Sequence, residues 1–128
     1  MQILTGADFF TGLFSALVLR EEKVISLEGR YLNEAVNRSF RKLTDLSEKQ
    51  GIVLSFRIRL HPIHGDSVIV REEILGAMQR GLITLDAPEN KVMRIRLTED
   101  EADALLEEIA GDRELFMRLA NEFDQCWA

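Results

Sequence analysis

A chain of 128 residues with one cysteine, Cys126, can form no internal disulfide and no cysteine-rich zinc site. No run of about eighteen apolar residues occurs. The most hydrophobic stretch, Phe9 to Leu19, is interrupted by Thr11, Gly12 and Ser15, which argues against a membrane span. Met1 to Asp8 lacks lysine and arginine, and no small-residue cleavage site follows Leu19, so no secretory signal is expected there. A glycine-rich phosphate loop is missing, because Gly6 and Gly12 have neither a preceding strand nor the required spacing. Serines and histidines are present, but roles in a nucleophilic triad cannot be assigned to them from one sequence, and Cys126 beside Trp127 is expected only to pack. These absences lead to the expectation of a cytoplasmic, membrane-free, non-catalytic protein with no cofactor.

Cations are scarce in the C-terminal third. From Thr98 onward ten carboxylates face only Arg113 and Arg118, whereas the rest of the chain is mildly basic and the whole carries −6. Such a balance argues against an all-over nucleic-acid binder while leaving room for a local basic patch.

At 14.6 kDa and 46% hydrophobic residues, the chain is long enough for one domain with a real core. Thr5-Gly6-Ala7-Asp8 has helix-opening spacing, and Phe9, Leu13, Phe14, Leu17 and Val18 predict a helix from about Ala7 to Arg20. Lys23 to Leu27 reads as a short strand. Leu32, Val36, Phe40, Leu43 and Leu46 trace the stripe of a helix over 30–50, which Gly51 ends. Ile52 to Leu60 alternates like a half-buried strand, and His61 to Asp66 interrupts it with Pro62 and Gly65.

Ser67 then caps a helix to Arg80 that buries Val70, Ile74, Ala77 and Met78 and stops at Gly81. Leu82 to Leu85 and Val92 to Leu97 bracket a turn-rich segment of hairpin length. Thr98 and Glu101 form a capping box for an acidic helix that Gly111 closes, and a last helix starts near Asp112. The expected architecture is one α+β domain, with about five helices and a small, mainly antiparallel sheet.

From Ser67 to Glu108 the order is helix, Gly81-Leu82-Ile83, hairpin, and Arg94-Ile95-Arg96-Leu97-Thr98 leading into a helix. This resembles the C-terminal part of bacterial winged helix-turn-helix regulators. The resemblance implies a winged-helix-like second half. It would place Arg71, Gln79 and Arg80 on or near a recognition helix, and Asn90 and Lys91 at the tip of a wing.

Three candidate sites follow. Arg-Ile-Arg-Leu occurs at Arg57 to Leu60 and again at Arg94 to Leu97. Alternation puts Phe56, Ile58, Leu60, Met93, Ile95 and Leu97 on one face and Arg57, Arg59, Arg94 and Arg96 on the other. If the strands share a sheet, four guanidinium groups and Lys91 would offer an anion or nucleic-acid surface, which Arg38, Arg41 and Lys42 could enlarge. The competing expectation is that Glu99, Asp103 and Glu107 neutralise it. His61, His64 and Asp66, in one Pro/Gly loop, have donor types that could converge on a divalent metal, or simply form a turn that caps the next helix. Phe116, Leu119, Phe123 and Trp127 would make a partner interface, to a protein or to a second copy, if that stripe is exposed.

The function expected on these grounds is a non-catalytic regulatory or adaptor module that binds a protein partner. The alternatives are a winged-helix nucleic-acid binder using the arginine face and a metal-dependent enzyme using the histidine loop.

Overall fold

Helix α1 (Gly6–Leu19) lies at the centre of the fold, and every residue from Phe9 to Val18 is buried. The computed structural model describes residues 2–27, 31–63, 65–86, 89 and 91–125. A helix apolar all round must be covered on every side. Around α1 pack α3 (Val68–Gln79), α4 (Glu99–Glu108) and α5 (Arg113–Asp124), while α2 (Tyr31–Ser47) lies on α5. Of the two hydroxyl residues buried in α1, Thr11 and Ser15, the fully buried Ser15 is satisfied within the helix, its Oγ donating to the Thr11 carbonyl at 2.8 Å.

Capping residues set the helix ends much as expected. Thr5, Ser67 and Asp112 each accept a backbone N–H at the start of α1, α3 and α5, and Thr98 with Glu101 completes both bonds of a capping box on α4. After α2, a turn of 3-10 helix (Glu48–Gln50) runs to Gly51 at φ 66°. At the end of α3, Gly81 takes φ 78°, and Gly81 and Leu82 return N–H bonds to Met78 and Ala77. This double bond pattern satisfies two orphan helix carbonyls and needs a left-handed residue, which glycine adopts without a Cβ penalty.

Strands form two sheets. In the first, β2 (Val24–Ser26), β5 (Val92–Ile95) and β4 (Ile83–Leu85) run antiparallel in the order β2-β5-β4. Register aligns Ile25, Met93 and Leu85 toward the core, and Val24, Arg94 and Thr84 toward solvent. In the second, β1 (Gln2–Leu4) pairs in parallel with β3 (Ile52–Leu54).

This second sheet corrects two expectations. Strand β1 was not anticipated, because three residues are too few to display a period. The strand expected over Ile52 to Leu60 stops pairing after Leu54, because its partner ends: Thr5 caps α1 and turns the chain away. Ser55 N–H still reaches the Leu4 carbonyl at 3.1 Å, and that is the last rung.

Candidate functional site

The two Arg-Ile-Arg-Leu segments do not share a sheet: residues 57–60 lie past the end of β3 and in no sheet, whereas Arg94 and Ile95 belong to β5, so no common strand face aligns the four guanidinium groups. Arg94 stands on the outer face of the antiparallel sheet, where its Nε lies 2.8 and 2.9 Å from the two carboxylate oxygens of Asp86. Its counter-charge thus comes from the end of β4 and not from α4. Arg57, Arg59 and Arg96 are exposed and make no ion pair among the described residues. Lys91 pairs with Glu89 at 3.3 Å. Asp103 meets Arg113 at 2.7 Å, in a geometry too bent to give its Oδ1 a hydrogen bond.

Nor does α2 enlarge a cationic patch. Arg38 donates to Glu122 at 2.9 Å and to Gln125 at 2.7 Å. Arg41 and Lys42 line an open groove of about 490 Å³ together with Glu34, Asp45 and Glu122, so its lining carries charges of both signs.

The histidine loop is occupied by its own backbone. His61 N–H donates to the Asp66 carbonyl, Gly65 N–H to the His61 carbonyl, and Ile63 N–H to His61 Nδ1 at 3.1 Å. The Asp66 carboxylate takes Arg71 Nη2 at 2.7 Å. His64 lies outside the described residues, and among the described residues no group of three His, Cys, Asp or Glu side chains is placed to hold a metal. The geometry seen is that of a turn leading into the Ser67 cap, held to α2 by Ser67 N–H donating to Asn33 Oδ1 at 3.2 Å.

The expected partner stripe is core. Phe116 and Leu119 are fully buried and Phe123 is 1% exposed, because this face of α5 is covered by α1 and α2; Ser39 of α2 donates to the Leu119 carbonyl at 2.7 Å. Trp127 lies outside the described residues.

Exposed apolar surface is found instead on α3. Val68 is 61% and Leu75 53% exposed, and the two stand seven residues apart on one helical face, opposite buried Val70 and Ala77. Leu75 forms the lip of a largely apolar groove of about 300 Å³ whose floor is Leu32, Val70, Ile74, Met78 and Leu85. The floor residues of α3 were legible as its buried stripe. The lip was missed, although Val68 and Leu75 at seven-residue spacing break the polar face of an otherwise amphipathic helix.

A second unforeseen cluster joins the ends of α1 and α5. Glu21 closes α1 at φ 65°, a left-handed position usually given to glycine, and this turn brings Glu22 N–H to the Leu17 carbonyl. The Glu22 carboxylate then lies 3.7 Å from Arg20 Nε, which also holds Asp124 at 2.8 Å, beside a cavity of about 330 Å³ lined by Val24, Ile25 and Phe123. Burial, and then hydrogen bonding to and repulsion by Asp124, push Glu22 from 4.5 up to about 7 against the pull of Arg20. Between these values the folded chain holds a proton that the unfolded chain releases. Stability from this group is therefore full below about pH 4.5 and declines as pH rises toward 7. Glu22→Gln should flatten that decline: its melting temperature falls less between pH 5 and pH 8 than that of the parent chain. Parallel pH profiles would show that Glu22 is ordinarily ionised.

No protein-family model, curated protein or solved structure matches the chain. Among the described residues no helix is long and apolar enough to cross a membrane.

Proposed function

We propose that the protein is a non-catalytic adaptor or regulatory module that seats an apolar face of a protein partner in the α3 groove. The observation that carries this reading is the exposed Leu75 lip over a floor of Leu32, Ile74 and Met78. An apolar groove rimmed by charge, here the Asp66–Arg71 pair, is the usual form of a site for helix or loop side chains of another protein.

A second reading, a winged-helix nucleic-acid binder, is favoured by one feature. Strand order β2-β5-β4, with α3 entering the β4–β5 hairpin, follows the connectivity of a helix and its wing. What weighs against it is the outward face of α3, where Val68, Glu72 and Leu75 sit at positions that would have to meet phosphates or base edges.

The test is a photoreactive amino acid at position 75 in the full chain inside its native cells, followed by binding of the captured protein, once purified, to parent chain and to Leu75→Asp. An exposed site should tolerate the substitution in folding, while affinity falls about tenfold or more. Equal affinity would overturn the reading. A salt-steep affinity for duplex DNA that Leu75→Asp leaves intact, but Arg96→Glu removes, would establish the second reading in its place. If the captured protein is another copy of this chain, light scattering will show a dimer that Leu75→Asp dissociates.

A further inference from the structure

Beyond Ser55 the chain keeps the habit of a strand without a strand beside it. Exposure alternates residue by residue from Ser55 to Leu60, the period of an extended backbone. The inward side chains are held firmly. Phe56 packs on Phe9 and Phe40 with ring centroids 5.4 and 5.3 Å away, Ile58 is 5% exposed, and Leu60 lies beside Asn37 and Arg41 of α2. Yet no backbone N–H or carbonyl from Phe56 to Leu60 makes a hydrogen bond among the described residues.

Backbone groups in this state are taken either by water or by an added strand. An extended segment already fixed by its inward side chains has met most of the ordering cost of pairing, which makes it a template for strand addition.

The outward side chains state what the added strand should carry. Arg57 and Arg59 are both exposed, both without a carboxylate among the described residues, and about 6.6 Å apart along the segment. The same spacing separates alternate residues on one face of an incoming strand. We infer that the segment Ser55–Leu60 binds an extended acidic peptide by strand addition, with carboxylates at alternate positions facing Arg57 and Arg59. A second copy of this chain is a poor occupant, because antiparallel self-pairing sets arginine against arginine. This site uses different atoms from the α3 groove and stands or falls independently of it.

Fluorescence anisotropy with labelled synthetic peptides tests it on the full chain. A peptide of alternating glutamate and valine should bind saturably, and the same peptide with lysine for glutamate should not. Arg57→Glu with Arg59→Glu should weaken the glutamate peptide about tenfold or more and confer binding of the lysine peptide, a swap that a misfolded variant would not produce. Methylating alternate backbone nitrogens of the glutamate peptide, which removes its donors and leaves its charge, should weaken binding to the parent chain about tenfold. Leu75→Asp should change none of these values. Equal binding of glutamate and lysine peptides, or of methylated and unmethylated ones, would overturn the inference and leave the two arginines as charges that keep a bare edge from aggregating.

Discussion

Phe116→Ala is expected to lower the unfolding free energy by about 3–5 kcal/mol. The ring is fully buried and lies so close to α1 that a Cβ added at Gly12 would come within 2.3 Å of its Cε1 and 2.6 Å of its Cδ1. Truncation would leave a cavity between the central helix and α5, walled by a ten-residue buried run that has no slack to fill it. Domains of this size are stable by about 5–15 kcal/mol, so the loss is a large part of the total. Urea unfolding followed by circular dichroism should show an earlier midpoint with an unchanged slope. A midpoint shift worth less than about 0.5 kcal/mol would mean that this face of α5 is solvent-exposed, as a partner interface would be.

Gly12→Ala should be the next most damaging change, at about 1–3 kcal/mol, even though alanine is favoured over glycine inside a helix by about 1 kcal/mol. The added methyl meets Phe116 and also Ile109 Cδ1, at 2.7 Å. Both belong to the wall that covers α1, so relief requires moving α1 away from α5 and from the turn after α4. Combining Gly12→Ala with Phe116→Leu should recover part of the loss, giving a coupling of about 0.5–3 kcal/mol in a double-mutant cycle. Additive losses would show that the two sites do not touch. The same contact explains why a helix-weakening glycine sits in the most apolar segment of the chain: it lets α1 and α5 approach.

Both residues illustrate where sequence reasoning stops. Phe116, Leu119 and Phe123 are legible as one apolar face of α5, but an apolar face looks the same whether its cover is another helix of the chain or another protein. Here α1 and α2 supply the cover. On α3 the opposite holds, since Leu75 reads as a minor exception to a polar face and becomes the lip of the groove only once Leu32 of α2 and Leu85 of β4 are brought beside it.

The doubled Arg-Ile-Arg-Leu makes the same point with identical residues. Alternation correctly predicts that the arginines face out and the isoleucines in, and Ile58 and Ile95 are both buried. Which carboxylate each arginine meets depends on its neighbour across the chain. Arg94 meets Asp86, whereas Arg57 and Arg59 continue past the end of β1 and meet none among the described residues.

By itself the sequence determined the five helices, the caps at Thr5, Ser67 and Thr98, the left-handed stops at Gly51 and Gly81, and the mixed α+β class. Each of these depends on forces that act within about four residues, namely capping hydrogen bonds, glycine's freedom at positive φ and side-chain periodicity. Only the tertiary structure decided that β1 pairs with β3, that the arginine segments part company, that α5 is core, and that α3 and Ser55–Leu60 are left uncovered. Those outcomes depend on which distant segments are brought together to satisfy a backbone edge or an apolar face, and local chemistry is indifferent to the choice.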